Sequence, residues 1–70
     1  MMAKITITST PAGADIEIDG NFVGNTPSSI DLTPGEHVIA VKKSGYKDWE
    51  RRIKTSAGAI NLTPELEKVQ

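Results

Sequence analysis

Asp15-Ile16-Glu17-Ile18-Asp19-Gly20-Asn21-Phe22 decides the fold. Ile16 and Ile18 alternate with Asp15 and Glu17, so one face of an extended segment is apolar and the other charged. Asp19-Gly20 then supplies the pair that a two-residue type I′ turn needs, with φ > 0 at both positions, and Phe22 begins the return. The same alternation recurs at Lys4-Ile5-Thr6-Ile7-Thr8 and at Ser29-Ile30-Asp31-Leu32. Eight Ile and four Val against three Leu, with seven Thr, favour χ1-stiff side chains that sit well on a pleated surface. No segment keeps the i, i+3, i+4, i+7 spacing of an amphipathic helix for three turns. A single helical turn near Pro64-Glu65 is the one exception the pattern allows.

Outward from the hairpin, turn residues recur at short intervals. Gly13 closes the first strand, Gly24 with Pro27 marks a second loop, and Pro34-Gly35 marks a third. The longest run follows, Glu36 to Lys43, ended by Gly45; Tyr46 to Thr55 reads as a strand, and Ala59 begins the last. About seven short strands at this spacing predict an all-β fold, a small antiparallel β-sandwich. Each proline follows a threonine, at positions 10, 26, 33 and 63. A residue before proline is pushed toward extended conformation, so these pairs punctuate strand ends. Alternation assigns the core to Ile5, Ile7, Ile16, Ile18, Phe22, Ile30, Leu32, Ile39, Val41, Ile53, Ile60 and Leu62. The domain spans residues 4–68, with 1–3 an added start or linker and 69–70 a tail.

Length and charge narrow the function. Seventy residues make one small domain with little core to spare for a deep cavity. Eight Lys+Arg against nine Asp+Glu give a net charge of -1, which argues against general nucleic-acid binding. The absence of cysteine excludes disulfides, a thiolate nucleophile and a thiolate zinc site. No apolar run approaches the ~20 residues of a membrane-spanning helix, and no apolar segment of signal-peptide type follows Met1-Met2-Ala3-Lys4.

Candidate chemistry is sparse. His37 shares strand phase with Ile39 and Val41, which predicts a core-margin ring with a backbone partner. A Ser44, His37 and Asp48 constellation lacks the nucleophile elbow of an acyl-transfer site. Asp15, Glu17, Asp19 and Asp31 lack the spacing of a calcium loop. No glycine precedes a helix with phosphate-loop spacing. The expectation is therefore no catalytic, metal or cofactor residue. Lys42, Lys43, Lys47, Arg51, Arg52 and Lys54 interleave with Tyr46 and Trp49, but Asp48 and Glu50 dilute them to a solvated hairpin face. Asn61-Leu62-Thr63 matches a glycosylation acceptor, a three-residue pattern that arises commonly by chance. Trp49 and Arg51 share the face of Ile53. Either a bulge near 50–52 separates them or the strand lies at an edge where Arg51 can snorkel, and Trp49 is either core or contact surface. Val38 and Ala40 fall on the outward face of the longest strand. Val38, Ala40, Tyr46 and Trp49 are the candidate partner contacts.

Ser9-Thr10-Pro11-Ala12-Gly13-Ala14 resembles the opening of a PEGA domain, with Ala12 where the family's name has glutamate. The resemblance continues through Ile16-Glu17-Ile18-Asp19-Gly20, Gly24-Asn25-Thr26-Pro27, Leu32-Thr33-Pro34-Gly35-Glu36-His37 and Gly45-Tyr46. It implies a prealbumin-like sandwich and a non-catalytic interaction or spacer module of larger prokaryotic cell-surface, S-layer-like or envelope proteins. Partners would be adjacent domains or other surface proteins. Two alternatives stand beside it: a carbohydrate-binding module in which Trp49 or Tyr46 stacks on a sugar, and an accessory domain regulating a linked enzyme or kinase.

Overall fold

A computed structural model describes residues 2–69, so Met1 and Gln70, the outermost residues of the expected start and tail, lie outside it. Alternating β-branched segments form seven strands among the described residues: β1 Ala3–Ile7, β2 Asp15–Ile18, β3 Asn21–Asn25, β4 Ser28–Leu32, β5 Gly35–Lys42, β6 Trp49–Thr55 and β7 Gly58–Leu62. No helix occurs among them, and Glu65 lies in extended backbone bridged to Thr10 rather than in a helical turn. Strand β1 begins at Ala3, which is 1% exposed, so Ala3 belongs to the sheet.

The strands make two sheets, β4-β1-β7 and β3-β2-β5-β6. All pairings are antiparallel but one: β1 and β7 run parallel, with Ala3 opposite Gly58 and Ile7 opposite Leu62. Side-chain period alone cannot reveal strand direction, so this pair lay beyond the alternation argument. Between the sheets, Ile5, Ile7, Ile16, Ile39 and Val41 are completely buried, joined by Ile18, Leu32, Leu62, Ala3 and Ala14. Each buried Ile, Val or Leu among them contributes about 1.5–3 kcal/mol on burial. Ile30, Ile53 and Ile60 pack at the margin of this layer.

Phe22 corrects the expected core: it is 62% exposed. The turn itself explains this. Asp19 and Gly20 have φ of 52° and 84°, the two-residue geometry expected, so Ile18 pairs with Asn21 and Phe22 faces Glu17. Phe22 therefore shares the solvent face of Glu17. Beyond it the register shifts: Gly24 stands opposite Ile16, so Val23 is an extra residue that bulges the edge strand β3 and is half-exposed.

The prolines stand outside the strands, as their threonine partners predict. The loop Pro11-Ala12-Gly13-Ala14 is held by a relay through Thr26, which is buried. The Ala14 N–H donates to Thr26 Oγ1 at 2.9 Å, Thr26 and Ser9 hydroxyls meet at 2.6 Å, and Ser9 donates to the Pro11 carbonyl at 2.7 Å. Because the one Ser9 proton goes to Pro11, Thr26 donates to Ser9 while accepting from Ala14. Backbone bonds from Gly13 N to Thr26 O (3.0 Å) and from Thr26 N to Ala14 O (2.8 Å) complete the attachment.

The opposite end is tied by Asp19, His37, Thr33 and Thr55. His37 Nδ1 lies 2.7 Å from Asp19 Oδ2, and its Nε2 lies 2.8 Å from the Thr33 carbonyl. That carbonyl also accepts from Thr55 Oγ1 at 2.8 Å. The expected backbone partner of His37 is present; the carboxylate partner, 18 residues distant in the chain, had no local signature.

Candidate functional site

Strand β6 is an outer strand of its sheet and β7 an outer strand of the other, and residues of both line one hollow, so they share one flank of the sandwich. The pairing of β5 with β6 is unbroken from Gly35↔Thr55 to Val41↔Trp49, so no bulge separates Trp49 from Arg51. The edge explanation accounts for the pattern. Trp49, Arg51 and Ile53 all point toward the opposing sheet, but a three-stranded layer cannot cover a four-stranded one completely. Trp49 and Ile53 are half-buried against the core margin, while Arg51 escapes to solvent.

The uncovered strip is a shallow groove. One hollow of about 230 Å³ lies among Lys47, Asp48, Trp49, Glu65, Leu66 and Glu67. A second, of about 240 Å³, adjoins it and is lined by Trp49, Arg51, Asn61, Leu62, Thr63, Pro64 and Glu65. Trp49 and Glu65 belong to both, so an indole stands at the centre with carboxylate, amide, hydroxyl and guanidinium groups around it. Such a set can stack a flat ligand face and hydrogen-bond its edges.

One wall of the groove is the segment after β7. Pro64 has no N–H to continue the ladder, which ends β7 at Leu62. The chain then crosses between the sheets. Thr10 N donates to Pro64 O (3.1 Å) and Leu66 N to Thr10 O (2.9 Å), holding it to the extension of β1. Lys47 N to Glu67 O (2.7 Å) and Val69 N to Gly45 O (2.9 Å) hold it to the segment before β6. An exposed Lys47–Glu67 ion pair at 3.2 Å lies over the same crossing. Tyr46 is bridged here to Lys68, so the strand expected from Tyr46 starts only at Trp49.

The four candidate contact residues therefore fall in two places. Trp49 lines the groove, with Tyr46 half-buried beside the crossing segment. Val38 and Ala40 lie on the far side of the same sheet, opposite Arg52 and Glu50. Ala40 is 6% exposed: its methyl sits low between the longer Glu17 and Glu50 that face it from either side. Ala40 itself adds little to the apolar surface of this face, to which the exposed Phe22 opposite Glu17 also belongs.

The other chemical candidates are dispersed. His37 sits at one end of β5, Ser44 in the turn beyond its other end, and Asp48 in the groove. Asp15 accepts from Asn25 Nδ2 at 2.6 Å, Glu17 pairs with Lys42 at 3.4 Å, and Asp31 lies in the other sheet. The basic residues divide likewise, Arg52 and Lys54 alternating with Arg51 across β6. Among the titratable groups, hydrogen bonds from the Val38 N–H and from His37 hold the Asp19 carboxyl below its ordinary value. Asp19 and the Thr33 carbonyl hold the His37 imidazole above its own, because both ring nitrogens face acceptors. With His37 protonated, the contact is an ion pair that ties two structural elements.

Fold and groove together define a small two-sheet β module whose interior is filled and whose accessible features lie on its rim. The chain belongs to the PEGA domain family, whose model matches residues 2–70. PEGA domains are modules of larger proteins, generally of extracellular or envelope ones. No curated protein matches the sequence.

Proposed function

We propose that this domain is a non-catalytic interaction and spacer module within a larger prokaryotic cell-surface or envelope protein. The parallel pairing of β1 with β7 carries the reading. Two parallel strands that are also the first and last of the fold admit the chain at one end and release it at the other. Ala3 lies beside Leu32 and Gly58 at the end occupied by His37, and Val69 lies beside Gly45 at the other. Copies or neighbouring domains joined through such termini line up along the long axis, which measures 41 Å. Scattering from two copies joined in tandem tests this. The expected maximum dimension is near twice the 41 Å of one domain, whereas a folded-back pair of single-domain length overturns the reading.

A second reading is favoured by the groove. Trp49 flanked by Arg51, Asn61 and Glu65 matches the chemistry of carbohydrate recognition, an aromatic face with polar groups at its margins. Glycan-array binding that disappears in Trp49→Ala, with the fold intact, supports it; a flat array with the wild-type chain counts against it.

A further inference from the structure

We infer that the domain carries tension, with the β1–β7 ladder as a clamp loaded in shear. This deepens the spacer reading and rests on it for its biological setting.

Strand β1 is the middle strand of its sheet and is bonded on both sides, to β4 and to β7. Pulling the chain at Ala3 and at Val69 draws β1 toward one end of the sandwich and β7 toward the other. The bonds between parallel strands cross the gap between them, so sliding stretches the whole row together. The row is long for so small a domain. Five residue pairs from Ala3↔Gly58 to Ile7↔Leu62 are followed by Thr8 N to Leu62 O at 3.0 Å and, past the one bond that Pro64 cannot donate, by Thr10 N to Pro64 O and Leu66 N to Thr10 O. The segment after Leu66 extends the arrangement. It runs antiparallel to the chain around Tyr46 and toward the exit, so its bonds to Gly45 and Lys47 are also sheared rather than opened one by one. Pulling at Ala3 and at the β6–β7 turn is different in kind. Ala3 and Gly58 are partners at the same end, so separating them unzips the ladder one bond at a time. Forced unfolding is governed by the barrier along the direction pulled, which makes the two geometries distinct for one fold of one stability.

Single-molecule pulling on the full 70-residue chain tests the clamp, with handles either at both termini or at the N-terminus and an Ala57→Cys variant. Ala57 is exposed in the turn, and the variant is to melt at the wild-type temperature. Terminus-to-terminus unfolding forces are expected to be several-fold higher than those from the N-terminus to residue 57. Thr8→Pro, which removes the donor to Leu62, is expected to lower the former and leave the latter unchanged. Equal forces in the two geometries, or a Thr8→Pro effect of the same size in both, overturn the clamp. Such a failure leaves an extended tandem dimension standing, and a folded-back tandem leaves the pulling result standing, so the two readings fail separately.

Discussion

Asp19 and His37 join the tip of the β2–β3 hairpin to the head of β5 through a 2.7 Å contact. The Val38 N–H adds a 2.9 Å bond to the other oxygen of the same carboxylate. With Thr33 on its remaining nitrogen, His37 donates at both ring positions only as the imidazolium.

Stability should therefore respond to pH on both sides. The folded His37 value is raised above 6.5, so its contribution is complete below that value and is lost as pH rises through the raised one. The folded Asp19 value is lowered from 3.8, so its contribution is present above 3.8 and is lost as pH falls through the lowered one. The melting-temperature difference between wild type and His37→Gln is expected to be largest near pH 5 and to shrink toward pH 9. A difference that stays flat across that range would contradict the ion pair.

At Gly20 the cost is conformational. Its φ is +84° and nothing lies within 4 Å of an added Cβ, so Gly20→Ala meets no clash. Strain alone should destabilise the domain by roughly 1–2 kcal/mol in urea unfolding. A neutral substitution would mean that the turn is not type I′.

Thr26 tests the relay under the Pro11–Ala14 loop. Thr26→Val keeps the shape but strips the acceptor from the buried Ala14 N–H, with an expected loss of about 1–3 kcal/mol. Thr26→Ser retains the hydroxyl and should lose clearly less. Equal losses in denaturant melts would assign the position to packing instead.

Phe22 and Ile39 should behave as opposites despite their shared apolarity. Phe22→Thr on the solvent face is expected to change stability by no more than about 0.5 kcal/mol. Ile39→Ala empties a fully buried site and should cost about 2–5 kcal/mol. Comparable losses would show that Phe22 is covered in solution.

These residues also show what could be read in advance. Alternation identified the aliphatic layer from Ile5 to Leu62, because one buried face imposes a period of two. Hydrophobicity points Phe22 inward, whereas the two-residue Asp19-Gly20 turn sets it opposite Glu17 on the solvent face. The Trp49–Arg51–Ile53 phase allows two geometries, and the unbroken register between β5 and β6 chooses the edge. The groove needed the chain beyond Pro64, whose crossing rests on backbone bonds that leave no mark in residue type. Ala3, Ala14 and Ala40 are too small for hydropathy to distinguish a tight site from an exposed one.

The bulge at Val23 has a consequence for association between copies. A straight outer strand bearing two apolar side chains would offer a template for a neighbouring copy to zip against, the route to fibrous aggregates. The extra residue, Val23, bends that margin and breaks its spacing, which makes the edge a poorer template for such pairing.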